Sequence, residues 1–134
     1  MMLVALSLQA NGIEKFAKKM SYETIYEKAL AKAKKENKML MMAMVTHYCP
    51  WCRKLERMTL SKKSIQSKVQ KNFIPLIVNR EAHKFPKKFH TPIIPVVFFI
   101  DPKNESIIWE SIGYKKRSDF SLQIEEALKL YAKL

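Results

Sequence analysis

Cys49 and Cys52, the two cysteines of the chain, are separated only by Pro50 and Trp51. Two thiols at this spacing can close into a disulfide or open to a dithiol, so the pair can act as a two-electron switch. The same spacing also supplies half of many structural zinc sites. The pair therefore indicates either thiol–disulfide chemistry or metal binding. The residues around the pair are needed to decide between these two functions.

The sequence places this pair where a strand ends and a helix begins. Residues 38–45 form an apolar run of strand length, and residues 53–60 are typical of a helix. Cys49 is therefore expected at the helix N-terminus, where free backbone N–H groups and the helix dipole favour a negative charge. Cys52 is expected about one turn further in, where it is more buried. We predict that Cys49 is the nucleophile and that Cys52 is the resolving thiol.

Three basic side chains flank the pair. His47 lies two residues before Cys49, and Arg53 and Lys54 follow one turn on. Nearby positive charge stabilises a thiolate, which is the species that attacks a disulfide. We therefore predict that these three residues lower the pKa of the Cys49 thiol. The same charges are expected to favour partner proteins with acidic surfaces.

The other elements alternate between helix and strand patterns. Their order is helix, strand, helix, strand, loop or short helix, strand, strand and helix. This order predicts an α/β fold with a mixed sheet of four or five strands and helices on both faces. The strand that contains Pro75 is placed at or near a sheet edge, because proline cannot donate a ladder hydrogen bond. Ser21 is expected to cap a helix with Ile25 on its inner face, and Ser118 or Ser121 to cap the last helix.

Composition limits the function classes. The chain has 134 residues, enough for one hydrophobic core, and its apolar content of 48% excludes a disordered protein. Its 25 Lys and Arg residues outnumber 12 acidic residues, which gives a net charge of +13. No apolar run is long enough to cross a bilayer. We therefore expect no stable membrane insertion, and we expect a monomer.

Residues 1–19 are expected to be an N-terminal lead, made of a signal-like segment and a short helix, and residues 20–134 the folded domain. Residues 1–10 resemble the apolar core and cleavage end of a secretory signal, although the basic start of such a signal is missing. One interpretation is a signal peptide with an unusual or truncated start, which places the protein in the periplasm or outside the cell. The other is an N-terminal strand or a disordered lead, which leaves a cytoplasmic location open.

From Met20 to the C-terminus the chain resembles the thioredoxin superfamily. The resemblance rests on the strand–Cys-x-x-Cys–helix junction, Ile94-Pro95 before a strand, the hairpin that follows, and the helix after Gly113. Within the superfamily the chain is similar to the group that includes the C-terminal domain of DsbD and SoxW-type periplasmic thioredoxins. Three segments carry this closer similarity: residues 29–35, 49–54 and 58–61.

The resemblance implies a thioredoxin-like fold and a reaction that needs no metal or organic cofactor beyond the Cys49–Cys52 disulfide. It implies that Pro95 has a cis peptide bond, faces the cysteine pair and offers backbone groups to an extended substrate segment. Trp51, Ile94 and Pro95 are then the apolar surface that contacts the substrate. The implied activity is that of a thiol–disulfide oxidoreductase. Its partners are disulfide-containing proteins and a thiol electron donor, with no nucleic acid.

The chain departs from the superfamily pattern at several positions. Ala43 stands where many thioredoxins have a buried Asp that helps the second thiol to lose its proton, so we expect Glu56 or water to accept that proton instead. Tyr48 replaces the Trp that usually precedes the first cysteine. Residues 93–95 differ from the Thr-Val-Pro of glutaredoxins, which argues against a glutathione site.

Two alternatives stay open at this point. In the first, Cys49, Cys52, His83 and His90 bind zinc. In the second, the cysteine pair is incidental and the basic residues of segment 53–71 bind an anionic partner.

The direction of electron flow is a further open question. We expect a reductase, because oxidants of the DsbA type carry a large inserted helical domain for which this chain has no room. The Pro-Trp dipeptide and the basic surroundings favour a less reducing potential than that of cytoplasmic thioredoxin.

Overall fold

The computed structural model describes residues 12–134. Residues 1–11, which include the signal-like segment, lie outside the described residues. The described part contains five α-helices and four strands: α1 Gly12–Met20, α2 Tyr26–Glu36, β1 Met39–Val45, α3 Pro50–Leu55, α4 Lys63–Asn72, β2 Phe73–Asn79, β3 Val96–Ile100, β4 Ile107–Ile112 and α5 Arg117–Ala132. A π-helical turn, Glu56–Leu60, continues α3, and a 3₁₀ turn, Lys87–Phe89, precedes β3. None of these helices is both long and apolar enough to span a bilayer.

The strands of the described residues form one mixed sheet in the order β2–β1–β3–β4. β1 pairs with β2 in parallel and with β3 in antiparallel orientation, and β3 and β4 form an antiparallel hairpin. The predicted α/β fold with thioredoxin-like architecture is confirmed, and the sheet has four strands.

The edge position of β2 explains how this strand accommodates Pro75. Glu23 bonds to its outer side: the Glu23 N–H donates to the Pro75 carbonyl at 2.9 Å, and the Glu23 carbonyl accepts the N–H of Ile77 at 2.9 Å. Because the nitrogen and carbonyl of one strand residue point to the same side, the N–H that Pro75 lacks falls on this outer edge. No bond to β1 is lost, and the predicted edge strand is confirmed.

Every residue of β1 is buried, and its side chains alternate between the two faces of the sheet. On one face, every second residue from Met39 to Val45 packs with α1, α3, α4 and α5. On the other face, every second residue from Leu40 to Met44 packs with α2. Helices therefore cover both faces. A central strand in this setting is apolar throughout, because neither of its faces meets water.

The start of α2 differs from the prediction. The helix begins at Tyr26 with Ile25 at its N-cap, and Ser21, which has a positive φ of 61°, is not the cap. The preceding residues are drawn out along β2 by the Glu23 bridge instead of forming a helical turn. Ile25 is consequently 58% exposed. The predictions of a Ser21 cap and a buried Ile25 are wrong.

The start of α5 also differs. Lys116 is its N-cap and Arg117 its first residue, so the predicted caps, Ser118 and Ser121, lie inside the helix. The Thr59 hydroxyl donates to the Lys115 carbonyl at 2.6 Å and holds the chain just before the helix. The start of α5 therefore has no capping side chain, and the Thr59 hydrogen bond, which comes from a segment distant in sequence, lies just before it.

Candidate active site

Cys49 is the N-cap of α3, with extended backbone angles of φ −146° and ψ 96°, and Pro50 occupies the first helical position. Proline suits that position, because its φ is already helical and its missing N–H is not needed there. The Cys49 Sγ accepts a hydrogen bond from the Cys52 N–H at 3.2 Å. The two cysteines form a disulfide with their Cα atoms 5.2 Å apart. The helix start thus directs an N–H group at the Cys49 sulfur, an arrangement that favours negative charge at this position.

The two sulfur-bearing residues differ in exposure. Cys49 is half-buried, whereas Cys52 is 0% exposed and belongs to the core cluster beneath the sheet face that carries α3. Cys49 is therefore the more accessible of the two sulfur-bearing residues, and Cys52 is shielded from solvent.

Arg53 connects the loop before the pair to the helix after it. Its Nη1 donates to the His47 carbonyl at 2.7 Å, and its Nη2 lies 2.7 Å from Oε2 of Glu56. The first contact holds the loop that leads to Cys49, and the second forms an ion pair on one face of the helix. Much of the Arg53 charge is therefore directed at a carboxylate and not at the cysteine sulfurs.

Glu56 is a buried carboxyl one turn beyond Cys52. It is 6% exposed, and its backbone N–H donates to the carbonyls of Cys52 and Arg53. Burial raises the pKa of Glu56, while the hydrogen bond and charge of Arg53 oppose this shift. The other buried carboxyl in residues 12–134 is Asp101, which follows β3 at the opposite end of the sheet from the cysteines. Glu56 is thus the buried proton-binding group on the segment that carries the cysteine pair.

Tyr22 lies within electrostatic range of this carboxyl. Burial raises the pKa of Tyr22, and the negative charge of Glu56 raises it further. The Tyr22 hydroxyl therefore stays protonated, and it makes no hydrogen bond within the described part of the chain.

Lys54 and His47, the other two predicted pKa-tuning residues, also lie at the helix start. The Lys54 Nζ is 5.0 Å from the ring centroid of Trp51 and 4.8 Å from that of Tyr114. The His47 ring is exposed and meets Tyr48 edge-on, with centroids 4.7 Å apart. The structure thus shows what each basic side chain contacts: Arg53 an acidic side chain, Lys54 two aromatic rings and His47 one. Their effect on the pKa of the Cys49 thiol stays a prediction.

A groove of about 410 Å³ begins at Trp51, between the two cysteines in the chain. Its other lining residues are Ile94, Pro95, Gly113 and Tyr114. The Ile94–Pro95 peptide bond is cis. Gly113 has a φ of +78°, which favours glycine, and its N–H donates to the Pro95 carbonyl at 2.8 Å. The structure therefore brings the three predicted substrate-contact residues, Trp51, Ile94 and Pro95, to one surface.

Tyr114 belongs to this surface, although the sequence analysis did not select it. Its ring lies 5.8 Å from that of Trp51, centroid to centroid, at an angle of 38°. The available signal was an aromatic residue directly after Gly113, the residue that closes the hairpin. That signal is weak, because only the tertiary structure shows that the end of β4 reaches the cysteine-bearing helix.

His83 and His90 do not join the cysteines. The His83 Nδ1 accepts the N–H of Asn79 at 2.9 Å, and its Nε2 lies 3.3 Å from Oε1 of Glu14. His90 is exposed at the end of the 3₁₀ turn. Within residues 12–134, no three His, Cys, Asp or Glu side chains are grouped to hold a metal ion. The alternative of a zinc site built from these two histidines and the two cysteines is wrong.

The basic segment 53–71 is not a uniform charged surface. Arg53 pairs with the buried Glu56, and Lys68 lies 3.2 Å from Oε1 of Glu125 on α5. Part of the positive charge of this segment is therefore used within the fold. A binding module with an incidental cysteine pair does not explain why the two cysteines form a disulfide at a helix start whose Trp51 lines a groove.

Comparison with known proteins agrees with this geometry. A family model described as Thioredoxin-like matches residues 22–102. No curated protein matches the chain. Among solved structures, a thioredoxin from Thermus thermophilus has a TM-score of 0.70 at 20% identity, covering 80% of this chain and 86% of that one.

Two further solved structures carry Dsb names. A DsbH oxidoreductase has a TM-score of 0.62 at 19% identity, covering 81% of this chain and 84% of that one. The oxidised C-terminal domain of DsbD from Neisseria meningitidis has a TM-score of 0.61 at 19% identity, covering 80% and 97%. At these identities the likeness establishes the fold.

Proposed function

Since this chain belongs to the thioredoxin-like family and carries a Cys-x-x-Cys disulfide in that fold, it is a thiol–disulfide oxidoreductase, and we propose that it reduces disulfides of partner proteins. One observation carries the proposal: a half-buried Cys49 and a fully buried Cys52 flank Trp51, and Trp51 lines a groove together with Ile94 and Pro95. This arrangement supports a reaction in two steps, the first at Cys49 and the second at Cys52.

In the first step the Cys49 thiolate attacks one sulfur of the partner disulfide. A bond forms between Cys49 Sγ and that sulfur, the partner's S–S bond breaks, and the other partner sulfur leaves as a thiolate that takes up a proton. In the second step Cys52 loses its proton and attacks Cys49 Sγ. The Cys49–Cys52 disulfide forms and the second partner thiolate leaves, so two electrons pass to the partner. A thiol donor then reduces the pair again.

Glu56 is the residue that we assign as proton acceptor for Cys52. A buried thiol holds its proton tightly, because burial disfavours the thiolate. A carboxyl whose pKa is raised by burial is a better base than an exposed one, and Glu56 lies one turn from Cys52 on the same helical segment. Ala43, at the position of the Asp in many thioredoxins, cannot accept a proton.

Ile94 and Pro95 are assigned as the contact for an extended substrate segment. The backbone N–H and carbonyl of Ile94 make no hydrogen bond to other described residues. They are therefore available to pair with a substrate backbone that lies along the groove. Trp51, which is 57% exposed, supplies apolar surface beside them.

Cysteine variants test the reaction. The Cys49→Ser variant is expected to lose reduction of a protein disulfide with dithiothreitol as donor, because the nucleophile is absent. The Cys52→Ser variant is expected to form a stable mixed disulfide with the substrate, visible on a non-reducing gel, because the resolving thiol is absent. A Cys49→Ser protein that reduces the substrate at the parent rate contradicts the proposal.

The redox potential tests the direction. We propose a value less reducing than that of thioredoxin, about −270 mV, but below about −200 mV, with reduction of partners as the working direction. Fluorescence of Trp51 in glutathione or dithiothreitol buffers measures it, and Trp109→Phe leaves Trp51 as the sole tryptophan reporter. A value above about −200 mV points to an oxidant or isomerase.

The periplasm or the cell exterior is the proposed location. Residues 1–10 resemble part of a secretory signal, and the chain is similar to a group that includes periplasmic thioredoxins. Protease accessibility of the protein in intact and osmotically opened cells tests this location. Protection after the outer compartment has been opened indicates the cytoplasm instead.

A further inference from the structure

Lys54 is a cation held in place by two aromatic rings. Its ammonium is almost equidistant from the ring centroids of Trp51 and Tyr114, at 5.0 and 4.8 Å. Both rings line the groove that contains Ile94 and Pro95. Contact with aromatic faces orients an ammonium without neutralising its charge. Lys54 makes no ion pair with any residue of the range 12–134, so its charge remains available to a ligand.

The surroundings of Lys54 add positive charge. Residues 115–117 are all basic and follow Tyr114 directly, and Arg57 is exposed on the turn after Lys54. No ion pair within the described chain uses any of these side chains. The nearby carboxyl, Glu56, is buried and paired with Arg53. Lys116 and Arg117 line a separate cavity beside Lys68, and Arg57 lines another beside Glu56. These charges therefore add to the positive potential around the groove without lining it.

We propose that the partner proteins present to this groove a segment in which an acidic side chain lies within a few residues of the attacked disulfide, and that Lys54 binds this carboxylate. Trp51 and Tyr114 position the ammonium, and Ile94 and Pro95 contact the apolar and backbone parts of the segment. The proposal names the substrate class of the same site and rests on the proposed reductase function. Lys54 acts here as a specificity-determining residue.

Three disulfide-bonded peptides test the proposal. They are identical except for the residues beside the cysteine, which are Glu in the first, Gln in the second and Lys in the third. Single-turnover rates with the reduced protein at low salt are expected to fall in that order, with the Glu peptide about fivefold faster than the Gln peptide. The ratio is expected to approach one at about 1 M salt, where exposed charges are screened.

Point variants test whether Lys54 causes the preference for the Glu peptide over the Gln peptide. The readout is the ratio of the Glu rate to the Gln rate, because any effect of Lys54 on the reactivity of Cys49 alters both rates equally and cancels. Lys54→Met is expected to remove most of the preference. Tyr114→Leu is expected to reduce it, and Tyr114→Phe, which keeps the ring, is expected to retain it. Lys34→Met is the matched control, because Lys34 is exposed near the end of α2 and its loss changes the net charge equally.

The outcomes separate this proposal from the proposed function. If all three peptides are reduced at one rate, the acidic subsite is wrong and the reductase function stands. If none is reduced, the reductase function fails and the subsite fails with it. If Lys34→Met lowers the ratio as much as Lys54→Met, overall charge and not Lys54 sets the preference, which also overturns the proposal.

Discussion

Arg53 and Lys54 are adjacent, carry the same charge and follow the same cysteine, but the structure gives them opposite surroundings. Arg53 reaches a buried carboxylate and a backbone carbonyl, so its charge is largely satisfied within the fold. Lys54 lies over two rings and makes no ion pair with any residue in the described range 12–134. Basic residues beside a reactive thiol therefore cannot be treated as one group, because the partner of each charge decides whether it stabilises the fold or faces a substrate.

The largest effect is expected on the Arg53 side. Arg53→Met leaves Glu56 buried without its counter-ion, and we expect the free energy of unfolding to fall by about 2–3 kcal/mol, below the loss for a fully buried pair because the Arg53 side chain is 29% exposed. Urea denaturation measures this loss. Adding Glu56→Gln to the variant is expected to recover most of it. A loss that persists in the double variant would show that Arg53 acts through its His47 contact instead.

The next effect concerns the second chemical step. Glu56→Gln keeps the size of the side chain but removes the proposed proton acceptor, so resolution of the mixed disulfide by Cys52 is expected to slow by about tenfold or more. Rapid quenching that follows the mixed disulfide with time measures this step. The first attack by Cys49 is expected to change little, which serves as the internal control. An unchanged resolution rate assigns proton transfer to water.

A pH series sharpens the interpretation of Glu56. Burial raises its pKa above the ordinary value of 4.5, so the folded protein binds this proton more tightly than the unfolded chain. The contribution of Glu56 to stability is then fully present below about pH 4.5 and is lost as the pH rises through the raised pKa of the folded state. The unfolding free energy of the parent minus that of Glu56→Gln is therefore expected to decrease with rising pH. A constant difference contradicts the raised pKa.

The smallest effect is expected on the Lys54 side. Lys54→Met removes a cation that contacts the exposed Trp51 ring and the half-buried Tyr114 ring and makes no ion pair within the described range, so the free energy of unfolding is expected to change by no more than about 0.5 kcal/mol. The same urea experiment measures it beside Arg53→Met, which replaces the neighbouring basic residue by the same side chain. Equal losses in the two variants would remove the distinction between the two charges.

Much of the fold was predictable from local pattern. The apolar run before the cysteines, the proline in β2 and the order of elements led to a mixed sheet with β2 at its edge, which the structure confirms. Each of these features acts through neighbouring residues: a strand buried on both faces is apolar throughout, and a proline cannot donate. The helix starts were less predictable, because the Glu23 bridge and the Thr59 contact override the serine caps.

The sequence by itself determined the spacing of the two thiols and the placement of Cys49 at a helix start, because both depend on residues within one turn of each other. Only the tertiary structure decided which charges remain free, that Tyr114 meets Trp51 and Lys54, and that Glu56 is buried with a raised pKa. These properties come from contacts between distant segments and from exclusion of water. Neither is encoded in the spacing of residues along the chain.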